Sequence, residues 1–195
     1  MDLGTAVASA WSSGISVYGV AALLGIAGRL RWIDSPDLLR SPWLIVIAAA
    51  LFLVELVVDK IPYVDSAWDA VHLVIRPVIG GYLVTTTGNT QLSVPALAVV
   101  GVALALSSHA AKSSTRLLIN ASPEPISNVV ASVAEDGLVA GVMTLAIVAP
   151  RVAFVVALVL AVLSTIVAVL VFRSARRVRA RWRERRNRSV RNRQR

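Results

Sequence analysis

The chain contains no cysteine, two histidines and only 6% aromatic residues. Disulfides, thiolate nucleophiles and thiolate metal sites are therefore excluded, and the redox compartment is left unconstrained. Charge is scarce as well: 16% of residues are Asp, Glu, Lys or Arg against 56% hydrophobic, with a mean hydropathy of +0.72. That balance excludes an ordinary water-soluble domain. The GxSxG, HExxH and GxxxxGK[ST] signatures are absent, so no serine elbow, zincin helix or phosphate-binding loop is legible.

What the chain does have is oil. A hydrocarbon core of roughly 30 Å needs about 20 helical residues, and several runs reach that length, 152–172 without a single charge. They are continuous rather than alternating, which predicts helices and not barrel strands. The expected fold class is all-α: a polytopic transmembrane bundle of about six hydrophobic helices, at residues 7–29, 42–59, 63–84, 93–115, 126–148 and 152–172. Residues 1–172 form the bundle and 173–195 an arginine-rich tail. The first segment has neither a basic leader nor a small-residue cleavage site, so it reads as a retained span. Its Ser9, Ser13, Gly14, Gly19, Gly25 and Gly28 allow close contacts and a central position. RLRWIDSPDLLRSP, at 29–42, reads as an interfacial loop, 85–91 as a polar turn, 112–124 as a loop and 149–151 as a tight reversal.

Net charge is +9, but the tail holds twelve arginines against Glu184, while residues 1–172 carry eight basic and ten acidic side chains. A basic tail directly after a span predicts a cytoplasmic C-terminus, and an even six spans then put the N-terminus on the same side. Helix 3 or helix 5 could instead be re-entrant. The expected partners are the bilayer, anionic headgroups at the tail with Trp182 at the interface, and a second copy of the chain. Nucleic acid is the lesser alternative for the arginines.

The charges inside the oil are patterned. On a helix entered at Pro62, Asp65, Asp69, His72 and Arg76 stand at i, i+4, i+7 and i+11, within a sector of about 60°. An isolated charge at mid-membrane costs at least ~3 kcal/mol, so this stripe must face protein or water. Counting from Pro125, 63 residues on, the positions matching Asp65, Asp69 and His72 are Asn128, Ser132 and Glu135. Glu55 and Asp59 end helix 2, and His109, Lys112 and Arg116 end helix 4. An internal repeat of helix pairs, 2–3 and 4–5, would bring Glu55 and Asp59 to Lys112 and Arg116, and Arg76 to Glu135 or Asp136.

The strings SSGISVYG, LVELVVDKIPYVDSAWDAVHLVIRP, SHAAKSSTRLLINASPEPISN and SVAED resemble a bacterial family of small polytopic membrane proteins, domain of unknown function 4126, over about residues 8–150. The resemblance implies the membrane architecture and brings no activity with it.

Three functions fit these residues. Facing carboxylate, imidazole and cationic side chains suit transport or permeation of a small charged solute through a polar cavity, with Asp65, Asp69, His72, Arg76, Lys112, Arg116, Asn128, Ser132, Glu135 and Asp136 lining it and Glu55, Asp59 and His109 in support. The same charges could be structural ion pairs of a scaffold. Asp65, Asp69 and His72, with Glu135 or His109, could hold a divalent metal for an intramembrane enzyme. The sequence names no cofactor.

Overall fold

The structure, a computed structural model, describes residues 1–61, 63–88, 91–120 and 125–193, with backbone alone for Pro125 and from 178 onward. Among them are seven helices and no strand: α1 (Leu3–Ser13), α2 (Val17–Arg29), α3 (Pro42–Val58), α4 (Val64–Thr85), α5 (Val94–Asn120), α6 (Pro125–Val148) and α7 (Pro150–Arg193). By length and composition α5, α6 and the first part of α7 can each cross a membrane. The apolar α3 has 17 residues, and α4 has 22 and carries the charged stripe. Apolar helices of this kind make the chain an integral membrane protein.

The expected first span is the largest departure. It is two short helices, and they turn back on themselves. The start of α1 lies beside the α6–α7 reversal, where the Thr5 hydroxyl donates to the Ala146 carbonyl at 2.8 Å. The Met1 amine reaches the Thr86 carbonyl at the end of α4 at 3.2 Å, and lies 3.7 Å from Asp34 in the loop that follows α2. Both outer ends of α1 and α2 are thus at one end of the bundle. Eleven and thirteen residues give helices of about 16 and 20 Å at 1.5 Å per residue, so their junction stops midway. The pair is a helical hairpin in place of the single expected span.

Its local cause is SSGIS. The Ser13 hydroxyl bonds back to the Ala10 carbonyl at 2.8 Å, the Ile15 and Ser16 N–H groups both return to the Ser12 carbonyl at 3.0 Å, and Ser16 is extended at φ −141°. Serine hydroxyls compete with the helical ladder in this way. At its outer end α2 closes in a Schellman reversal, with Arg31 left-handed at φ 62° and the Trp32 N–H on the Ala27 carbonyl at 2.9 Å.

The apolar core surrounds α1. Ala8 and Ala10 are fully buried in one core with Leu83 and Val84 of α4, Leu97 and Leu104 of α5, Val142, Met143 and Ala146 of α6, and Ala153 and Ala157 of α7. The helices come into close contact where α4 crosses α5, since a Cβ on Gly101 would overlap the Gly80 carbonyl. Gly101→Ala should therefore lose ~1–3 kcal/mol of stability in thermal unfolding. Gly137→Ala, on α6 with nothing within 4 Å of its would-be Cβ, should lose none.

Two further boundaries moved. Residues 112–120, read as loop, continue α5, because their polar members Lys112, Arg116 and Asn120 recur every fourth position on a buried face while Leu117 and Leu118 face outward. Nor does α7 stop at 172: it runs unbroken for 44 residues, about 66 Å, carrying the arginine-rich segment away from the bundle as helix. The expected start at Pro62, the loop through Glu124 and the placement of Trp182 fall outside the described residues.

Candidate functional site

The half of the bundle beyond the hairpin tip is polar. The stripe on α4 forms as its spacing requires: Asp65, Asp69, His72 and Arg76 are all at most 3% exposed, while Val71, Leu73 and Val74 on the other faces are at least 56% exposed. Around Arg76 lies the inner cluster. Its Nη2 donates to Glu55 Oε1 at 2.8 Å, and its Nη1 to Asp69 Oδ1 at 2.7 Å and to His109 Nδ1 at 2.8 Å. A guanidinium can only donate, so His109 Nδ1 carries no proton. The Ser113 hydroxyl donates to the other Asp69 oxygen at 3.2 Å. Asp69 and His109 also line a cavity of about 210 Å³ between α4 and α5, together with Ser66, Ser113, Leu73 and Leu117.

The outer cluster is built on α5. Lys112 Nζ donates to Asp59 Oδ2 at 2.5 Å and lies 3.8 Å from Glu135. Arg116 donates to Glu135 at 2.6 Å, to Asn128 Oδ1 at 2.6 Å and to the Asp59 carbonyl at 2.8 Å, with Asp65 at 3.9 Å. Asn120 Nδ2 donates to Asp65 at 2.9 Å. Asp65 and Asn128, at matching positions in the two helix pairs, thus converge on one guanidinium.

The hairpin tip joins both clusters. Its backbone carbonyls at Gly14 and Ile15 accept from Arg76 at 3.4 Å and from Lys112 at 3.1 Å, and the Trp11 carbonyl accepts from the Ser108 hydroxyl at 2.6 Å. The end of α1 thereby offers its negative dipole pole to two cations. Ser16, which begins α2, spends its hydroxyl on Glu55 Oε2 at 2.7 Å instead of capping its own helix. Irregular backbone at this depth is tolerable only because it is enclosed by protein partners of this kind.

Counting charges decides what the arrangement can do. Five carboxylates, Glu55, Asp59, Asp65, Asp69 and Glu135, meet three permanent cations, Arg76, Lys112 and Arg116. Each cluster has one carboxylate too many. Asp59 Oδ1, Asp65 Oδ2, Asn120 Oδ1, Asn128 Nδ2 and Ser132 Oγ are buried with no hydrogen-bond partner among the described residues. Unpaired groups like these are expensive in a dry interior and point to water, protons or a ligand between them.

The expected pairing of Glu55 and Asp59 with Lys112 and Arg116 holds for Asp59 only, because Glu55 goes to Arg76. Arg76 meets neither Glu135 nor Asp136. The cause is depth: α3 is short, so its last turn ends level with the middle of α4. Asp136 joins no ion pair among the described residues, and His72 sits apart, its Nδ1 on the Trp68 carbonyl at 2.8 Å and its Nε2 against the Tyr18 hydroxyl at 2.9 Å. Among the described residues no three of His, Asp and Glu are gathered in a group that could hold a metal ion. Sequence reasoning missed Ser16, Tyr18, Ser108, Ser113 and the tip carbonyls. SSGIS, a polar knot within an apolar run, was the signal available.

The sequence profile described as Domain of unknown function (DUF4126) matches residues 3–170. The chain belongs to the DUF4126 family. The match takes in the hairpin and every residue of both clusters, so the site lies wholly within the family's domain. Neither a curated protein nor a solved structure matches the chain.

Proposed function

We propose that this member of the DUF4126 family transports or conducts a small charged solute across the membrane, with its surplus carboxylates selecting a cation, protons included. The observation that carries the reading is the interrupted hairpin, whose unwound tip meets Arg76, Lys112 and Glu55 midway through the bundle. Half-helix ends and freed carbonyls at mid-depth are how transporters build ion sites. Each surplus carboxylate needs a proton or a cation for neutrality, and buried charge of that kind marks ion pathways. The arginine-rich end of α7 favours the cytoplasmic side of a bacterial inner membrane, held at anionic headgroups.

A scaffold with structural ion pairs is the competing reading, favoured by the double pairing of Arg76 between Glu55 and Asp69. Flux separates them. In liposomes holding a pH-sensitive dye under a potassium diffusion potential, the wild type should admit protons at least ten times faster than empty vesicles. Asp69→Asn with Glu135→Gln should return the rate to the empty-vesicle level. Wild-type vesicles impermeable to both protons and methylammonium would leave the scaffold.

A further inference from the structure

A second cavity opens on the other side of α5. It is a cleft of about 340 Å³ among α5, α6 and α7, floored by the hairpin's Trp11 and Ile15 and walled by Leu138, Leu160, Leu163 and Val167. That volume is at the small end of ligand pockets. The walls are apolar and the inner end is charged, with Lys112 and Glu135 both on the lining.

The sign of that end is settled by what is already spent. Lys112 is 1% exposed and held by Asp59 and the Ile15 carbonyl, with Glu135 beyond. Arg116 is fully buried and committed to Asn128 and Glu135. Glu135 keeps 16% of its side chain exposed, receives Arg116 on Oε2 alone, and has no hydrogen bond on Oε1 among the described residues. It is the one carboxylate lining the cleft, in the cluster where three carboxylates share two cations. An anion would meet a surplus of its own charge there. A cation would supply what is missing.

We infer that the cleft binds an amphiphilic organic cation: an alkyl chain between α6 and α7, reached from the lipid, and an ammonium on Glu135 with the Trp11 ring at the cleft floor. The inference rests on the transport reading and names its solute class.

The absence of cysteine makes a single-label test available. In nanodiscs of zwitterionic lipid, Leu138→Cys, one helical turn from Glu135, reports occupancy through its rate of alkylation by N-ethylmaleimide. Octylammonium should slow labelling at least fivefold and saturably. It should leave Leu117→Cys, in the α4–α5 cavity, unchanged. Octanol and octanoate should not protect. Glu135→Gln should abolish protection, as should Leu163→Trp, which fills the cleft and leaves the ion network intact should Glu135→Gln fail to fold. Equal protection by octanol or octanoate, or full protection in Glu135→Gln, overturns the inference. Proton flux that persists alongside such a result leaves transport standing with a different solute.

Discussion

Arg76→Met should cost ~3–5 kcal/mol, the usual penalty for removing one partner of a buried ion pair. In a chain of this length that is a fall of about 10 °C in Tm. The reason is geometric. Glu55 and Asp69 are 1% and 3% exposed and both bond the same guanidinium, so its loss leaves two carboxylates facing each other with no cation between them. His109 Nδ1 loses its donor at the same time. Glu55→Gln, Asp69→Asn and Arg76→Met together should recover most of the loss, because a neutral network of similar shape carries no desolvation penalty to offset. Unfolding of the two variants in nanodiscs checks this. An Arg76→Met protein that melts with the wild type would show that the clasp is hydrated.

Gly14→Val is expected to be at least as damaging. The residue's φ of −71° is open to any amino acid, so the constraint is space: a Cβ at Gly14 would overlap the Ala105 carbonyl and the Ser108 hydroxyl. Overpacking alone costs ~1–3 kcal/mol. Lifting the tip away from α5 would also break the bonds from Ser108 to the Trp11 carbonyl and from Lys112 to the Ile15 carbonyl, the latter a charge-assisted bond worth ~1.5–3 kcal/mol. A loss above ~3 kcal/mol is therefore expected, measured as the denaturant midpoint and as reduced folded yield. Wild-type stability in Gly14→Val would mean that the hairpin is not seated where α4 and α5 meet.

Spacing along one helix was legible; depth between helices was not. The α4 stripe could be read because 100° per residue fixes which side chains share a face, and burial of Asp65, Asp69, His72 and Arg76 follows it. The Pro42 and Pro125 starts were legible for a similar local reason. Hydropathy, by contrast, sums composition over a window. A hairpin of eleven plus thirteen residues has the composition and length of one span, and contacts distant in sequence, Thr5 with Ala146 and Met1 with Asp34, tell them apart. Pairing across helices failed likewise. Glu55 reads with Asp59 as the charged end of a span and hence as a partner of Lys112 and Arg116, until the shortness of α3 sets it opposite Arg76.

The hairpin also imposes an order of assembly. Its tip carbonyls are satisfied by Arg76, Lys112 and Ser108, all synthesised after it, and lipid offers no substitute partners. Eleven and thirteen residues are too short to wait as a span. These two helices, made before α4 and α5, are thus seated after them, closing a groove that α4 and α5 must form beforehand.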